Sequence, residues 1–316
     1  MKYRSPCLHV KPKVLIVADF PGWAYDNVSN AFMQVLKWKY DFTKVFAAEL
    51  PLIDHRSFDL VYCMWWKTDF LERNFVPKEK LCIQVASFWS WQQKYKIPLN
   101  DLVEKYLNRA CAVSVNCPGL YDLIAPLHRR VFLNPSGVDV DKFRPYLPRS
   151  SDAGQALIVG WTGSTAIHGD NKGLLDLIIP VCESLNNVTL KTVTKEKNWL
   201  PHVRMSEFYR EIDVYLCASQ SEGTPNPVLE AAASARAVIS TPVGIVSLLI
   251  HQGINGMIVE REFTPIRSAV KRLRDDRTLC ANMGAMNRQV IENEGWSWEN
   301  RARNYQVMFD NILNGG

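Results

Sequence analysis

Short apolar runs alternate with longer segments of helical period along the whole chain. Runs of this kind are typical of parallel strands that helices cover on both faces, so the pattern predicts an α/β fold. In the first half we predict strands over 13–20, 43–48, 60–66, 80–87, 111–116 and 130–135. Helices are predicted between them over 26–39, 100–108 and 119–127.

The same alternation begins again after a polar stretch at 144–155, whose Pro, Ser and Gly content is typical of a linker. Strands are predicted over 156–163, 188–194, 214–219, 237–244 and 255–260, with helices near 172–185, 206–211, 226–236 and 264–275. The last segment, 296–314, has apolar residues at helical spacing and predicts an amphipathic helix. We therefore predict a domain boundary between residues 145 and 146.

Composition narrows the class of protein. The 316 residues are 47% hydrophobic, enough for two domains with buried cores. Lys and Arg exceed Asp and Glu by 37 to 32, which gives a mild bias toward anionic partners such as nucleotides, phospholipids or nucleic acids. No apolar run is long enough for a signal peptide or a membrane span, so we expect a cytoplasmic protein.

Two familiar kinds of site are disfavoured. The eight cysteines lack the close pairs of metal sites and disulfide frameworks, and several lie within predicted strands, which indicates buried reduced thiols. A G-x-G-x-x-G motif is absent, so a nicotinamide or flavin dehydrogenase loses its main support.

The loop at 219–233 is the most informative segment. It follows a predicted strand, and ligands of open α/β sheets bind at the carboxyl ends of strands. Glu222 lies in the loop and Glu230 lies about one turn into the next helix. That helix is capped either by Asn226, with Pro227 in the first turn, or by Thr224 with Pro225 following it.

The start of this helix predicts an anion site, because Gly223 and Thr224 present backbone N–H groups near its positive end. Phosphate oxygens are natural ligands there. Taken alone, an acidic pair at this spacing more often belongs to a capped helix, and its carboxylates then face water.

Glu222 and Glu230, with seven residues between them, resemble the E-x7-E signature of retaining glycosyltransferases of the GT-B fold, specifically glycosyltransferase family 4. Three more segments resemble that family in the same order: 130–145, 240–260 and 296–302. The first of them is similar to the interdomain stretch N-G-V-D-x-x-x-F-x-P, here carried by Gly137, Val138, Asp139, Phe143 and Pro145.

The resemblance implies two Rossmann-like doubly wound domains that face an interdomain cleft. Residues 1–145 are expected to form the acceptor side and 146–295 the donor side, with 296–316 crossing back to the first domain. It also implies retaining transfer from a UDP- or GDP-sugar to a hydroxyl acceptor, with no required cofactor or metal. Glu222 would lie beside the transferred sugar, and Glu230 would bind the ribose of the donor.

The loop after the strand at 156–163 is the second predicted contact with the donor. Gly163 and Ser164 bring backbone N–H groups near phosphate, and Lys172 supplies a cation for the leaving group. Lys172 matches the K-G element of the family's basic pair, but the Arg expected earlier in the loop is missing. His168 is a candidate to replace that Arg as a donor to the diphosphate. A single histidine in a loop is, however, more often just an exposed side chain.

Two glycines complete the predicted site. Gly22 follows the first strand, where the family's glycine-containing loop faces the diphosphate and the acceptor. Gly244 lies at another strand-to-helix turn and either contacts the sugar through its backbone or only permits the turn.

The acceptor is less well defined by the sequence. Trp89 and Trp91 are candidates for a stacking platform, ahead of Trp65 and Trp66, which continue a strand. The acceptor classes left open are a glycan, a lipid-linked glycan with peripheral membrane contact, and a modified DNA base.

Two other functions remain open. One is a DNA-modifying transferase that acts on hydroxymethylated bases, as the basic pI and the Trp-rich first half allow, although no DNA-binding module is recognisable. The other is a catalytically silent module that binds sugar nucleotides.

Overall fold

A computed structural model describes residues 10–49, 53–67, 71, 76–145 and 155–315. Its first half contains a parallel sheet of six strands in the order β2-β1-β3-β4-β5-β6. Four of these strands are buried along almost their whole length, because helices cover both faces of the sheet. The strands are β1 (Lys13–Ala18), β2 (Asp41–Phe46), β3 (Leu60–Cys63), β4 (Leu81–Val85), β5 (Ala112–Val115) and β6 (Val131–Leu133).

The second half contains a parallel sheet of five strands in the order β11-β10-β9-β7-β8. Its strands are β7 (Leu157–Gly163), β8 (Val188–Thr194), β9 (Val214–Cys217), β10 (Ala237–Ser240) and β11 (Gly256–Ile258). In each sheet the first strand lies between the second and the third, so the direction of strand succession reverses at β1 and at β7. Ligands of such sheets bind beyond the carboxyl end of the strands at this switch point.

Helices occupy every predicted position, and the predicted α/β class is confirmed. The described helices are α1 (Ala24–Leu36), α2 (Leu99–Lys105), α3 (Pro118–Ile124), α4 (Thr165–His168), α5 (Ile179–Glu183), α6 (Met205–Arg210), α7 (Asn226–Ala233), α8 (Val246–Leu249), α9 (Phe263–Asp275), α10 (Arg277–Asn293) and α11 (Trp298–Leu313). The long helix α10 and the short α4 were not predicted, while the short α8 follows the predicted strand-to-helix turn at Gly244. Within the described ranges, no helix combines the length and the apolarity needed to span a bilayer.

The terminal helix α11 packs on the first sheet, although it follows the second sheet in the chain. Tyr305 stacks on Phe32 of α1 with ring centroids 4.5 Å apart. Asp310 accepts a hydrogen bond from the Tyr40 hydroxyl at 2.7 Å and pairs with Lys39. The amphipathic pattern read from the sequence thus buries its apolar face against the first half of the chain.

The predicted interdomain stretch lies against the start of α11. A Cβ on Gly137 would come within 2.8 Å of the Trp298 backbone, so only glycine fits this crossing. The Val138 amide donates to the Trp296 carbonyl at 2.9 Å and holds the two segments together. The predicted boundaries after residues 145 and 295 remain predictions, and the first adjoins residues 146–154, which lie outside the described ranges.

The described cysteines are free thiols, and all but Cys111 are buried. Burial raises the pKa of the Cys182 thiol to about 12, with a smaller effect from nearby Glu183. These cysteines therefore pack as small apolar side chains, as the sequence indicated.

Candidate functional site

A cleft of about 750 Å³ lies between the carboxyl ends of the two sheets. Loops that follow β1, β4, β5, β7, β8 and β9 line it. Most of the predicted site residues meet there: Gly22, Gly163, Ser164, Lys172, Glu222, Gly223, Thr224, Pro225, Asn226 and Glu230. Gly244 does not line the cleft.

Glu222 and Lys172 form an ion pair on one wall of the cleft. The Lys172 Nζ donates to Glu222 Oε1 at 2.7 Å, and the Ser219 hydroxyl donates to the same oxygen at 2.9 Å. Burial alone would lower the pKa of Lys172, but the Glu222 carboxylate outweighs it and raises that pKa. Lys172 therefore stays charged, and Glu222 is held in one orientation.

Glu230 is buried beside this pair and has two hydrogen-bond donors. His202 Nε2 lies 2.8 Å from its Oε1, and the Tyr209 hydroxyl donates to its Oε2 at 2.7 Å. Lys142 Nζ lies 2.8 Å from His202 Nδ1. An ammonium group can only donate, so Nδ1 accepts and the proton on Nε2 points to Glu230. Burial, reinforced by the Glu230 charge, keeps the pKa of Tyr209 well above its ordinary value.

His202, Tyr209 and Lys142 were not found from the sequence. They lie 28, 21 and 88 residues from Glu230 along the chain, and no local motif connects them. Phe143 of the interdomain stretch connects the predicted motif to these residues. Its ring centroid lies 5.8 Å from that of His202 and 5.7 Å from that of Tyr209. The motif residue thus packs behind the groups that hold Glu230.

Both predicted caps of α7 are wrong. The helix has Pro225 at its N-cap position, and no side chain caps it. The Thr224 hydroxyl instead donates to the Asn116 carbonyl at 2.9 Å and accepts from the Ser136 amide at 3.3 Å. The Thr224 hydroxyl thus bonds to the first half of the chain and does not cap α7. These hydrogen bonds fix the loop that carries Glu222 against the first half of the chain.

Two glycines allow this close approach. A Cβ on Gly223 would lie 2.0 Å from the Ala86 carbonyl oxygen and from the Asn116 side chain. Gly244 has φ +55°, and a Cβ there would lie 1.7 Å from the Gly223 carbonyl oxygen. Gly244 therefore supports the turn from behind, and its predicted contact with the sugar stays a prediction.

The Gly163–Ser164 loop is held by an acid that the sequence did not reveal. Glu196 Oε1 accepts from the Ser164 hydroxyl at 2.5 Å and from the Ala166 amide at 3.1 Å. The hydrogen bond from Ser164 is the main cause that lowers the pKa of Glu196 to about 2. A Cβ on Gly163 would lie 3.5 Å from Lys172 Cδ, so the loop and the predicted cation are neighbours. The side chain of His168 lies outside the described part.

On the opposite wall, Gly22 has φ +75°, and its amide donates to Asp26 Oδ2 at 2.7 Å. That N–H is therefore already engaged within the first half. Asp19 also lines the cleft, and burial raises the pKa of its carboxyl. Its Oδ1 has no hydrogen-bond partner among the described residues.

Aromatic side chains divide between the cleft and the core. Trp89 lines the cleft as predicted, together with Trp65. Trp91 is only 3% exposed and belongs to the core, so the platform role predicted for it is wrong. Trp65 reaches the cleft because β3 ends at Cys63, earlier than predicted.

Asp139 stabilises a turn in the interdomain stretch. Asp139 Oδ1 accepts from the amides of Asp141 and Lys142 at 3.1 and 2.8 Å. Among the described residues there is no group of three or more His, Cys, Asp and Glu side chains that could hold a metal ion.

Two Rossmann-like sheets that face each other across a ligand-sized cleft define the GT-B fold, and comparison with solved structures shows it. Sucrose-phosphate synthase from Thermosynechococcus elongatus superposes with a TM-score of 0.70 at 12% identity, covering 97% of this chain and 100% of that one. Anabaena HepE in complex with UDP and glucose gives 0.67 at 11% identity, with 95% and 99% covered. A glycosyltransferase from Rickettsia africae gives 0.62 at 12% identity, with 97% and 100% covered.

Sequence comparison adds a domain-level match. The family model for glycosyl transferases group 1 matches residues 165–276, the part of the chain that carries Lys172, Glu222 and Glu230. This match supports a glycosyltransferase. No curated protein sequence matches the chain.

Proposed function

We propose that this protein is a retaining glycosyltransferase that takes a sugar from a nucleoside-diphosphate sugar and passes it to a hydroxyl acceptor. The observation that carries the proposal is the convergence of Lys172, Glu222 and Glu230 in one cleft between two GT-B domains. The family match over residues 165–276 supports it. UDP and UDP-glucose bound to the similar Anabaena HepE favour a UDP-sugar as donor.

The chemistry follows from the charges. Departure of a nucleoside diphosphate leaves negative charge on its β-phosphate and positive character at the sugar carbon. Lys172 and the backbone of the Gly163–Ser164 loop would face the phosphate, while the carboxylate of Glu222 would lie beside the sugar. Glu230 would accept hydrogen bonds from the ribose with the lone pairs that His202 and Tyr209 leave open.

A donor screen tests the proposal. The protein is incubated with UDP- and GDP-sugars and a panel of glycans, and nucleotide release and product mass are recorded. Transfer by the wild type, with anomeric configuration preserved by proton NMR and loss of turnover in Glu222→Gln, is the expected result. Inversion would contradict the retaining mechanism.

Binding without turnover on any acceptor class would instead indicate a silent binding module. Lipid-linked glycans and DNA with hydroxymethylated bases are included as acceptors. Transfer to the DNA alone would identify a DNA-modifying enzyme.

A further inference from the structure

The cleft needs more positive charge than the predicted site provides. Lys172 donates to Glu222 at 2.7 Å, so the pair has no net charge. The diphosphate of a donor is an anion and gains charge as it leaves. A second cation beside the Gly163–Ser164 loop would meet that charge.

Lys195 is the cation that the fold places at this loop. It follows the end of β8, and its amide donates to the Gly163 carbonyl at 3.2 Å. The next residue, Glu196, holds Ser164 through its carboxylate. The backbone of Lys195 is thus fixed at the switch point beyond β7, and its side chain lines the cleft. The other lysines of the cleft, Lys67 and Lys94, lie instead by the Tyr95 ring of the first half.

The ammonium group of Lys195 has no hydrogen-bond acceptor or ion-pair partner in the described part of the chain. It lies 3.0 Å from the centroid of the Trp23 ring, on the opposite wall. Partial desolvation is the main cause that lowers the pKa of Lys195, although the residue remains exposed, and the charges of Asp19 and Glu196 oppose that effect. A ring face attracts a cation less strongly than a phosphate oxygen does, so an anion in the cleft can displace it.

We propose that Lys195 is a second binding residue for the diphosphate of the donor, and that its ammonium group moves from the Trp23 ring to a β-phosphate oxygen when the donor binds. This inference rests on the proposed function. The cleft then has two cations for the donor: Lys172, which is paired with Glu222, and Lys195, which leaves the Trp23 ring when the diphosphate binds.

Calorimetric titration with UDP and UMP tests the proposal, because the two nucleotides differ only in the β-phosphate. GDP and GMP are titrated in parallel. The ratio of the UMP to the UDP dissociation constant measures the preference for a diphosphate. In Lys195→Met this ratio should fall about tenfold, with little change in the affinity for UMP, since one charged hydrogen bond is lost. Lys195→Arg should keep most of the preference, because a guanidinium also binds phosphate.

Lys197→Met is the matched control. Lys197 lies two residues further along the same exposed segment and does not line the cleft, so this variant should titrate like the wild type. An unchanged ratio in Lys195→Met, or an equal fall in Lys197→Met, would overturn the inference while the proposed function stands. A wild type that binds no uridine or guanosine nucleotide would overturn both.

Discussion

Replacing Lys172 with methionine tests the centre of the site. The variant keeps most of the length of the side chain and removes its charge, which leaves Glu222 in the cleft with the Ser219 hydroxyl as its remaining donor among the described residues. The two partners of the ion pair are 19% and 15% exposed, so water can replace only part of the lost interaction. We expect the variant to lose both stability and affinity for the donor.

The expected magnitude lies between those of exposed and buried pairs. Exposed pairs contribute about 0.2–1 kcal/mol, and removing one partner of a fully buried pair costs about 3–5 kcal/mol. For a largely buried, hydrogen-bonded pair we expect about 2 kcal/mol. For a domain the size of the predicted one over residues 146–295, a loss of about 2 kcal/mol lowers Tm by about 4–8 °C. The turnover should fall by about 10²–10³ if the ammonium stabilises the leaving diphosphate.

The assay is a thermal melt paired with donor kinetics on Lys172→Met and on the double variant Lys172→Met/Glu222→Gln. The double variant removes the uncompensated carboxylate, so its Tm should recover toward the wild type while its turnover stays low. A single variant as stable and as active as the wild type would refute the roles given to the pair. A double variant less stable than the single one would refute the electrostatic account.

Three further predictions concern Glu222, Glu196 and Gly137. Glu222→Gln should cut turnover by about 10²–10³ yet stay folded, because its amide oxygen can still accept both hydrogen bonds; wild-type turnover would contradict the assigned role. The Glu196 pKa of about 2 lies below its ordinary 4.5, so its contribution to stability is complete above pH 4.5 and fades as the pH falls toward 2. The gap in Tm between wild type and Glu196→Gln should close over that range, and a constant gap in melts from pH 6 to 2.5 would refute this. Gly137→Ala should cost about 1–3 kcal/mol by overpacking against the Trp298 backbone, whereas Gly119→Ala, whose Cβ would lie at an ordinary contact distance of 3.5 Å from the Phe88 ring and within a helix, should be at least as stable as the wild type.

The strands and most helices follow from local patterns. Buried runs such as that of β1 have no polar face to satisfy, and the period of α9 places Ile266, Val270 and Leu273 on one side. Helix α10 escaped prediction because Gly284 and Asn287 interrupt its buried face. Both are explained only by tertiary contacts, since a Cβ on Gly284 would lie 2.3 Å from the Ala235 carbonyl oxygen, and the Asn287 amide donates to the Arg236 carbonyl at 2.8 Å.

The candidate site divides in the same way. Their positions in or just after loops at the carboxyl ends of parallel strands, together with the resemblance to the E-x7-E signature, predicted that Glu222, Glu230 and Lys172 would meet. It did not predict that Thr224 would bind Asn116 in preference to the helix end. A hydroxyl bonds to whichever group the folded chain brings near, and here that group lies 108 residues away.

By itself, the sequence determined most of the segments that become strands and helices and which acidic and basic side chains occupy the loops between them, because these depend on neighbours within a few residues. Only the tertiary structure decided that His202 and Tyr209 hold Glu230, that Lys195 faces Trp23, and that Gly244 lies behind the cleft. Such pairings arise when two separately patterned sheets close on one another, and the geometry of that closure is not encoded in any local period.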